Sequence, residues 1–205
     1  MPRLPTVVEQ PEGLVYQDAF LDAGEERSVV TILEELQFSE VRMRGQPARR
    51  TVVHFGLQYQ YESWKLFAAD PVPEPLGWLC DRAGTFAGID PAQFAEVLVT
   101  RYPPGAEIGW HRDAPMFGPK VVGVSLLSPC SMRFQRRTTD IRRTFRLELA
   151  PRSAYVLSGA ARWSWQHSIP STPALRYSIT FRTLKDPDAI AAATPGTEPS
   201  SPIPR

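Results

Sequence analysis

Near the end of the chain stands Arg176-Tyr-Ser-Ile-Thr-Phe-Arg182, or RYSITFR. It alternates without a break, with Arg176, Ser178, Thr180 and Arg182 on one side and Tyr177, Ile179 and Phe181 on the other. Successive side chains of a strand point to opposite faces, so this is a strand with one polar and one apolar face. VLVTRY, EIGWH, KVVGVSLL, SMRFQRR, TFRLEL, SAYVLS and RWSWQHSI precede it, each short, rich in β-branched or aromatic residues and bounded by turn residues. Strands spaced that evenly predict an all-β sandwich or barrel from about Val97 onward.

Upstream the pattern changes. DAGEERSVVTILEELQF predicts a helix, with Asp22 as N-cap, acids in the first turn, and Val29, Ile32, Leu33 and Leu36 on one face. Leu76, Leu79 and Ala83 predict a short helix ending near Gly84, and Asp90-Pro91 with Gln93 is a second helix-start signal. Between them, residues 39–50 (SEVRMRGQPARR) are basic and predict a loop or ragged strand. RTVVHFGLQYQYES, divided by Gly56, predicts a hairpin or a bent strand. Residues 1–12 are expected to form a flexible arm, 13–185 one domain, and the Ala-, Pro- and Ser-rich residues 186–205 a disordered tail.

The bulk numbers exclude several classes. At 205 residues, 42% apolar and 22% charged, the chain suits one ordinary core. A formal charge of +1 means that any nucleic-acid contact must come from a local patch. There is no run of 18 apolar residues and no apolar signal region, so a cytoplasmic protein without a membrane segment is expected. Cys80 and Cys130 are expected as free thiols.

The chemistry is carried by few residues. His111 and Asp113, in GWHRDAP, are two apart and so face the same way from one strand. Two ligands hold a divalent ion loosely, and His167 in WSWQHSIP is the one good candidate for a third. Two imidazoles and a carboxylate, with positions left open, suit non-haem Fe(II). The alternative is a satisfied surface pair and a structural histidine. Arg176 and Arg182 share one strand face. If that face is inward they need an anion, because a buried unpaired guanidinium costs several kcal/mol; a dicarboxylate that also chelates iron would supply it. If it is outward, water suffices. His54 has no carboxylate at ligand spacing and is expected to be structural or to belong to a lid formed by its own hairpin.

Taken together, RYPPGAEIGWHRD, VVGVSLLS, YVLSGAARWSWQHSIP and LRYSITFR resemble the AlkB family of Fe(II)/2-oxoglutarate dioxygenases. The resemblance is close from about Val97 to Leu184 and weaker over Gly13 to Ser63. It implies an α+β, mainly β fold: a double-stranded β-helix (jelly roll) core over about 95–184, buttressing N-terminal helices, and a β-hairpin lid over about 39–64. It implies His111, Asp113 and His167 as iron ligands and catalytic centre. It implies Arg176 on the far carboxylate of 2-oxoglutarate, Tyr102 hydrogen-bonded to the cosubstrate, and Arg182 nearby and helping to hold it. Thr100 and Ser178 stand where some members carry Asn, and Ser178 keeps a hydroxyl for the cosubstrate. The lid would offer Arg49 and Arg50, extended by Arg42 and Arg44, to phosphate, and Phe55, Tyr59 and Tyr61 to an unstacked base. Arg133, Arg136, Arg137, Arg142 and Arg143 form a second basic run.

The implied activity is oxidative demethylation of N-alkylated bases in DNA or RNA by a monomer, as in DNA damage repair, consuming 2-oxoglutarate and O2 and releasing formaldehyde, succinate and CO2. Pro115 stands where certain DNA-repair members have an acid, and Arg162 lies five positions before His167, a spacing closer to relatives that act on RNA or protein. A modified tRNA base or a protein side chain therefore stays open as the target, and beyond it a binding module without turnover.

Overall fold

The computed structural model describes residues 5–43, 46–60 and 65–186. Strands β1 (Thr6–Val8) and β2 (Leu14–Gln17) lead into helix α1 (Ala23–Glu34); β3 (Ser39–Met43), β4 (Gln46–Gln60) and β5 (Lys65–Ala68) follow, then helix α2 (Gly77–Ala87). The remainder is nearly all strand: β6 (Phe94–Tyr102), β7 (Ile108–His111), β8 (Phe117–Leu126), β9 (Cys130–Arg137), β10 (Arg142–Leu149), β11 (Ser153–Leu157), the short helix α3 (Gly159–Trp163), β12 (Gln166–Ile169) and β13 (Arg176–Leu184).

Among the described residues the strands form two sheets. The larger runs β2-β11-β8-β13-β6-β4-β3, with β5 paired to β4; the smaller runs β1-β10-β9-β12-β7. Apart from the parallel β1–β10 pair, the ladders are antiparallel. The two sheets close on each other as a jelly roll. Leu14, Val121 and Leu157 from the larger sheet meet Met132, Phe134, Leu149 and Trp165 from the smaller side. The opposite face of the larger sheet is covered by α1 and α2, where Val29, Leu33 and Leu79 pack on Val97, Val99, Ile179 and Phe181. This explains β13: its apolar side meets the helices and its polar side lines the interior of the roll, where all nine of its residues are buried.

Local chemistry sets the helix ends. Asp22 accepts from Glu25 N at 2.8 Å while Glu25 returns a carboxylate oxygen to Asp22 N at 2.9 Å, a complete capping box. Losing such a cap costs about 1 kcal/mol, whereas truncating the fully buried Leu33 to Ala would cost about 2–5 kcal/mol. Packing therefore decides that α1 exists, and the cap decides where it starts.

Three expectations are corrected. Helix α2 runs past Gly84 and ends at Gly88, whose φ of 60° supplies the left-handed cap; Gly84 is instead buried against Pro91 and the Ile89 carbonyl. Asp90-Pro91 starts only one 3-10 turn, Pro91–Gln93, with Asp90 accepting from Ala92 N, because Val97 and Val99 just beyond are required by the sheet. Part of the expected N-terminal arm is strand β1, laid parallel along β10. Residues 39–50, expected as a loop or ragged strand, supply β3 and the start of β4. Gly56, at φ 75°, bends β4 without breaking it. Cys80 and Cys130 are free thiols.

Candidate active site

Strand pairing builds the site. β7 and β12 are neighbours, and His111 and His167 are opposed partners in their ladder, with ring centroids 4.3 Å apart. Asp113 lies just beyond the end of β7 and turns back toward the pair, its Oδ2 3.8 Å from His167 Nε2. The three candidate ligands are thus brought to one place by two distant segments. His111 Nδ1 lies 2.9 Å from the Gly109 carbonyl. A carbonyl only accepts, so Nδ1 holds the proton and Nε2 keeps its lone pair. Burial lowers both histidines, and with His111 close by it pushes His167 down to about 3; both rings are neutral at pH 7, the form that binds a metal. Burial alone would raise Asp113, but Arg182, His167, His111 and Arg162 together outweigh it and hold the carboxyl well below its ordinary value. Among the described residues no three His, Cys, Asp or Glu side chains already stand at the spacing of a bound ion. The donor set, two neutral imidazoles and one carboxylate, nevertheless fits Fe(II), and an ion would draw the three inward.

Arg176 supplies the second test of fit. It is wholly buried; its Nε donates to Ser125 Oγ at 3.2 Å, and its guanidinium lies 5.0 Å from the centre of the Tyr102 ring. Both terminal nitrogens are buried without a hydrogen-bond partner among the described residues. Buried charged donors are not left so without a cost, and a carboxylate is the ligand whose two oxygens match two parallel N–H groups. Tyr102 is the ladder partner of Arg176 across β6 and β13, and burial raises its phenol, leaving it a protonated donor. Thr100, Ser178 and Ser125 follow in one cross-strand row, buried, so Ser178 lies one step from Arg176 on the same inner face.

Arg182 lies on the same strand face and is bonded to two carboxylates. Its Nε and Nη2 donate to Asp113 Oδ1 at 2.9 and 2.6 Å, and its Nη1 to Glu96 Oε2 at 2.6 Å. These donors orient the candidate ligand Asp113. Glu96 takes a further bond at 3.0 Å with His54 Nδ1, which makes His54 a structural residue with a carboxylate partner from β6. Burial would raise Glu96, but Arg182 and His54 together lower it.

The lid expectation also changes. Phe55 is buried among the residues packed beneath the helices, so the expected stacking role is corrected. Arg50 is buried too, donating to the Glu107 carbonyl, and is not the surface phosphate ligand expected of it. Arg49 is exposed over Gly105. Tyr59 packs edge-on to Phe117 and lines a cavity of about 480 Å³ together with Arg112, Asp113, Trp163 and Gln166. Tyr61 and Arg44 lie outside the described residues.

Two contributors escape sequence reasoning. One is Glu96, whose signal is a lone acid within the apolar run FAEVLV. The other is Arg162, noticed only for its spacing. It is buried and donates to four backbone carbonyls: Asp113, Ala114, Phe117 and Gly118, at 2.8–3.3 Å. Its guanidinium also covers the Trp163 ring at 4.2 Å. Arg162 therefore ties α3, just ahead of His167, to the loop that carries Asp113.

Such a roll, closed around paired histidines, an aspartate and a carboxylate-seeking arginine, is that of a non-haem iron oxygenase. The chain belongs to the 2OG-Fe(II) oxygenase superfamily, whose family model matches residues 13–182. Its relatives are AlkB-like. An alkylated DNA repair protein ALKBH8 homolog from Arabidopsis thaliana is 25% identical over 181 residues, covering 77% of this chain and 51% of that protein. The tRNA (carboxymethyluridine(34)-5-O)-methyltransferase alkbh8 of Xenopus tropicalis is 26% identical, covering 78% and 25%. The α-ketoglutarate-dependent dioxygenase AlkB of Escherichia coli is 32% identical over 123 residues, covering 54% and 55%. The chain thus spans about half, or only a quarter, of the length of these relatives. The solved structure of OsALKBH1 superposes with a TM-score of 0.66 at 15% identity, covering 85% of this chain and 98% of that one, and establishes the fold. The family uses Fe(II), 2-oxoglutarate and O2. No helix among the described residues is long and apolar enough to cross a membrane.

Proposed function

We propose that this protein oxidatively demethylates N-alkylated bases in nucleic acid. The observation that carries the reading is the cavity of about 480 Å³ with Asp113 in its wall, flanked by Trp163, Tyr59 and the Gln166 amide, and rimmed by Arg112. It is large enough for one base, has flat side chains to cover it and a cation for its phosphate. His111, Asp113 and His167 would hold the iron, with Arg182 fixing the orientation of Asp113. Arg176 would take the far carboxylate of 2-oxoglutarate, with Tyr102 and Ser178 as neutral hydrogen-bonding neighbours.

Iron and 2-oxoglutarate, when bound, supply O2 activation: one oxygen atom goes to succinate, with loss of CO2, and the other to a substrate C–H bond. The protein's part is to bind, orient and exclude water. The low-lying histidines stay neutral and Tyr102 stays protonated. An N-methyl group hydroxylated here becomes N–CH2OH, which separates into N–H and formaldehyde without a catalytic acid or base from the chain.

A second reading, a tRNA base or a protein side chain as target, is favoured by Pro115 in the cavity wall, which puts no acid at that position; the alkbh8 relatives' name refers to tRNA. Formaldehyde release from a panel of methylated single-stranded DNA, RNA, tRNA and peptide, with ferrous iron present, tests both. Release from the methylated oligonucleotides supports the first reading, and release confined to tRNA or peptide supports the second. Absence of succinate formation under every condition would leave a non-catalytic module.

A further inference from the structure

The outer face of the smaller sheet carries arginines in a pattern that the fold does not need. β9 and β10 pair so that Arg137 opposes Arg142 and Arg133 opposes Arg146. The alternate residues of these strands, Met132, Phe134, Phe145 and Leu147, face the roll's interior, so the four arginines point outward. Arg137, Arg142 and Arg146 are exposed, and Arg133 is half-buried. Side chains directly opposed in an antiparallel pair are only about 5 Å apart at Cβ, and like charges there are destabilising.

The usual remedy, interleaved carboxylates, is missing. Among the described residues none of the four is paired with an acid. Arg133 donates to Ser168 Oγ and covers the Trp110 ring at 5.3 Å; Arg142 donates to Gln135 Oε1. Glu148 lies at the far end of the face, opposite Ser131, and Glu9 is taken by Arg143 on the other side of the strand. On a protein of net charge +1 this is a separation of charge rather than a general surplus.

The face also has a direction. Its rows cross from β10 through β9 and β12 to β7, ending at exposed Trp110 and at Arg112 and Gln166, which line the active-site cavity. We propose that this face is a docking track for a single strand of nucleic acid. Its phosphates would run along Arg142, Arg137, Arg146 and Arg133, and a base would stack on Trp110 before the strand reaches the cavity. An acidic peptide would satisfy the arginines but would have no use for the exposed indole at the end of the track. The inference rests on the nucleic-acid reading above and extends it from the cavity to the surface leading there.

The test measures binding without turnover, so it fails separately from the demethylation assay. Fluorescence anisotropy is recorded with an unmodified single-stranded 12-mer, as DNA and as RNA, over a range of salt, and with a polyglutamate peptide of matched charge. Each phosphate neutralised on a single strand contributes about 0.7 to the slope of log affinity against log salt. Arg137→Ala/Arg142→Ala/Arg146→Ala should therefore lower the slope by about 2 and weaken binding at least tenfold at low salt. Between 50 and 200 mM salt, wild type should lose about twentyfold more affinity than the variant. The triple Lys variant should keep the slope, and Trp110→Ala should weaken binding roughly tenfold. The triple Ala variant should melt no lower than wild type, since opposed like charges have been removed. Unchanged affinity and slope in the triple Ala variant would overturn the proposal, and so would polyglutamate binding as tightly as the oligonucleotide.

Discussion

Replacing Arg176 by Leu should improve the empty protein and ruin the loaded one. The guanidinium is fully buried, one nitrogen satisfied by Ser125 and the two terminal nitrogens unpartnered among the described residues. Two charge-assisted hydrogen bonds to a carboxylate, at about 1.5–3 kcal/mol each, amount to about 3–6 kcal/mol. That corresponds to roughly a 10²- to 10⁴-fold loss of cosubstrate affinity. Without cosubstrate the sign reverses, because an apolar side chain of similar volume in place of an uncompensated buried charge is neutral or stabilising by about 1–4 kcal/mol. The assay is thermal unfolding of the Mn(II)-loaded protein with and without 2-oxoglutarate. At about 100 times its Kd the cosubstrate stabilises wild type by about 2.7 kcal/mol, which at about 2–4 °C per kcal/mol is a rise of roughly 5–11 °C. Arg176→Leu should rise by no more than about 1–2 °C at that concentration, from a baseline midpoint at or above wild type. A full rise in the variant would refute the carboxylate assignment. A baseline several kcal/mol below wild type would show that the guanidinium is structural.

Glu96→Gln removes one carboxylate from Arg182 and the partner of His54, and should cost about 3–5 kcal/mol at pH 7 by urea denaturation. Because folding lowers Glu96, its contribution is complete above the ordinary carboxylate range and is lost as pH falls through and below it; the gap to wild type should close under acid. A pH-independent gap would contradict this. Arg162→Met removes a charged donor from four buried carbonyls, of which Ala114 keeps a bond from Phe117 N, and should also cost at least about 3 kcal/mol; a loss below about 1 kcal/mol would mean that water replaces the guanidinium freely. Phe55→Ala should cost about 3–5 kcal/mol as a core truncation while leaving oligonucleotide affinity unchanged, and weaker binding at intact stability would restore the stacking role.

What could be foreseen followed from local period. RYSITFR declares a two-faced strand, and His111 with Asp113 declares a shared direction, because both are properties of neighbours in sequence. What could not be foreseen depends on register. That Arg182 is turned onto Asp113 and Glu96, while Arg176 keeps open donors among the described residues, follows from the alignment of β13 with β6 and from where the chain leaves β7. Arg50 and Phe55 are five residues apart in a basic, aromatic stretch, yet Phe55, inside the ladder with β6, and Arg50, just before that ladder begins, are both buried. Asp90-Pro91 has the chemistry of a helix start, but the apolar residues after it are worth more in the sheet. Strand β1 left no trace because its three residues are all exposed and its pairing is made by backbone alone.

The most direct test of the account is anaerobic titration of the metal-free protein with ferrous iron, followed by 2-oxoglutarate, monitoring the visible charge-transfer band that forms when a 2-oxo acid chelates the ion. One ion per chain should bind, the band should appear on adding 2-oxoglutarate, and His167→Ala should abolish both while still folding. Stoichiometric iron binding with an unchanged band in His167→Ala would contradict a centre built from His111, Asp113 and His167.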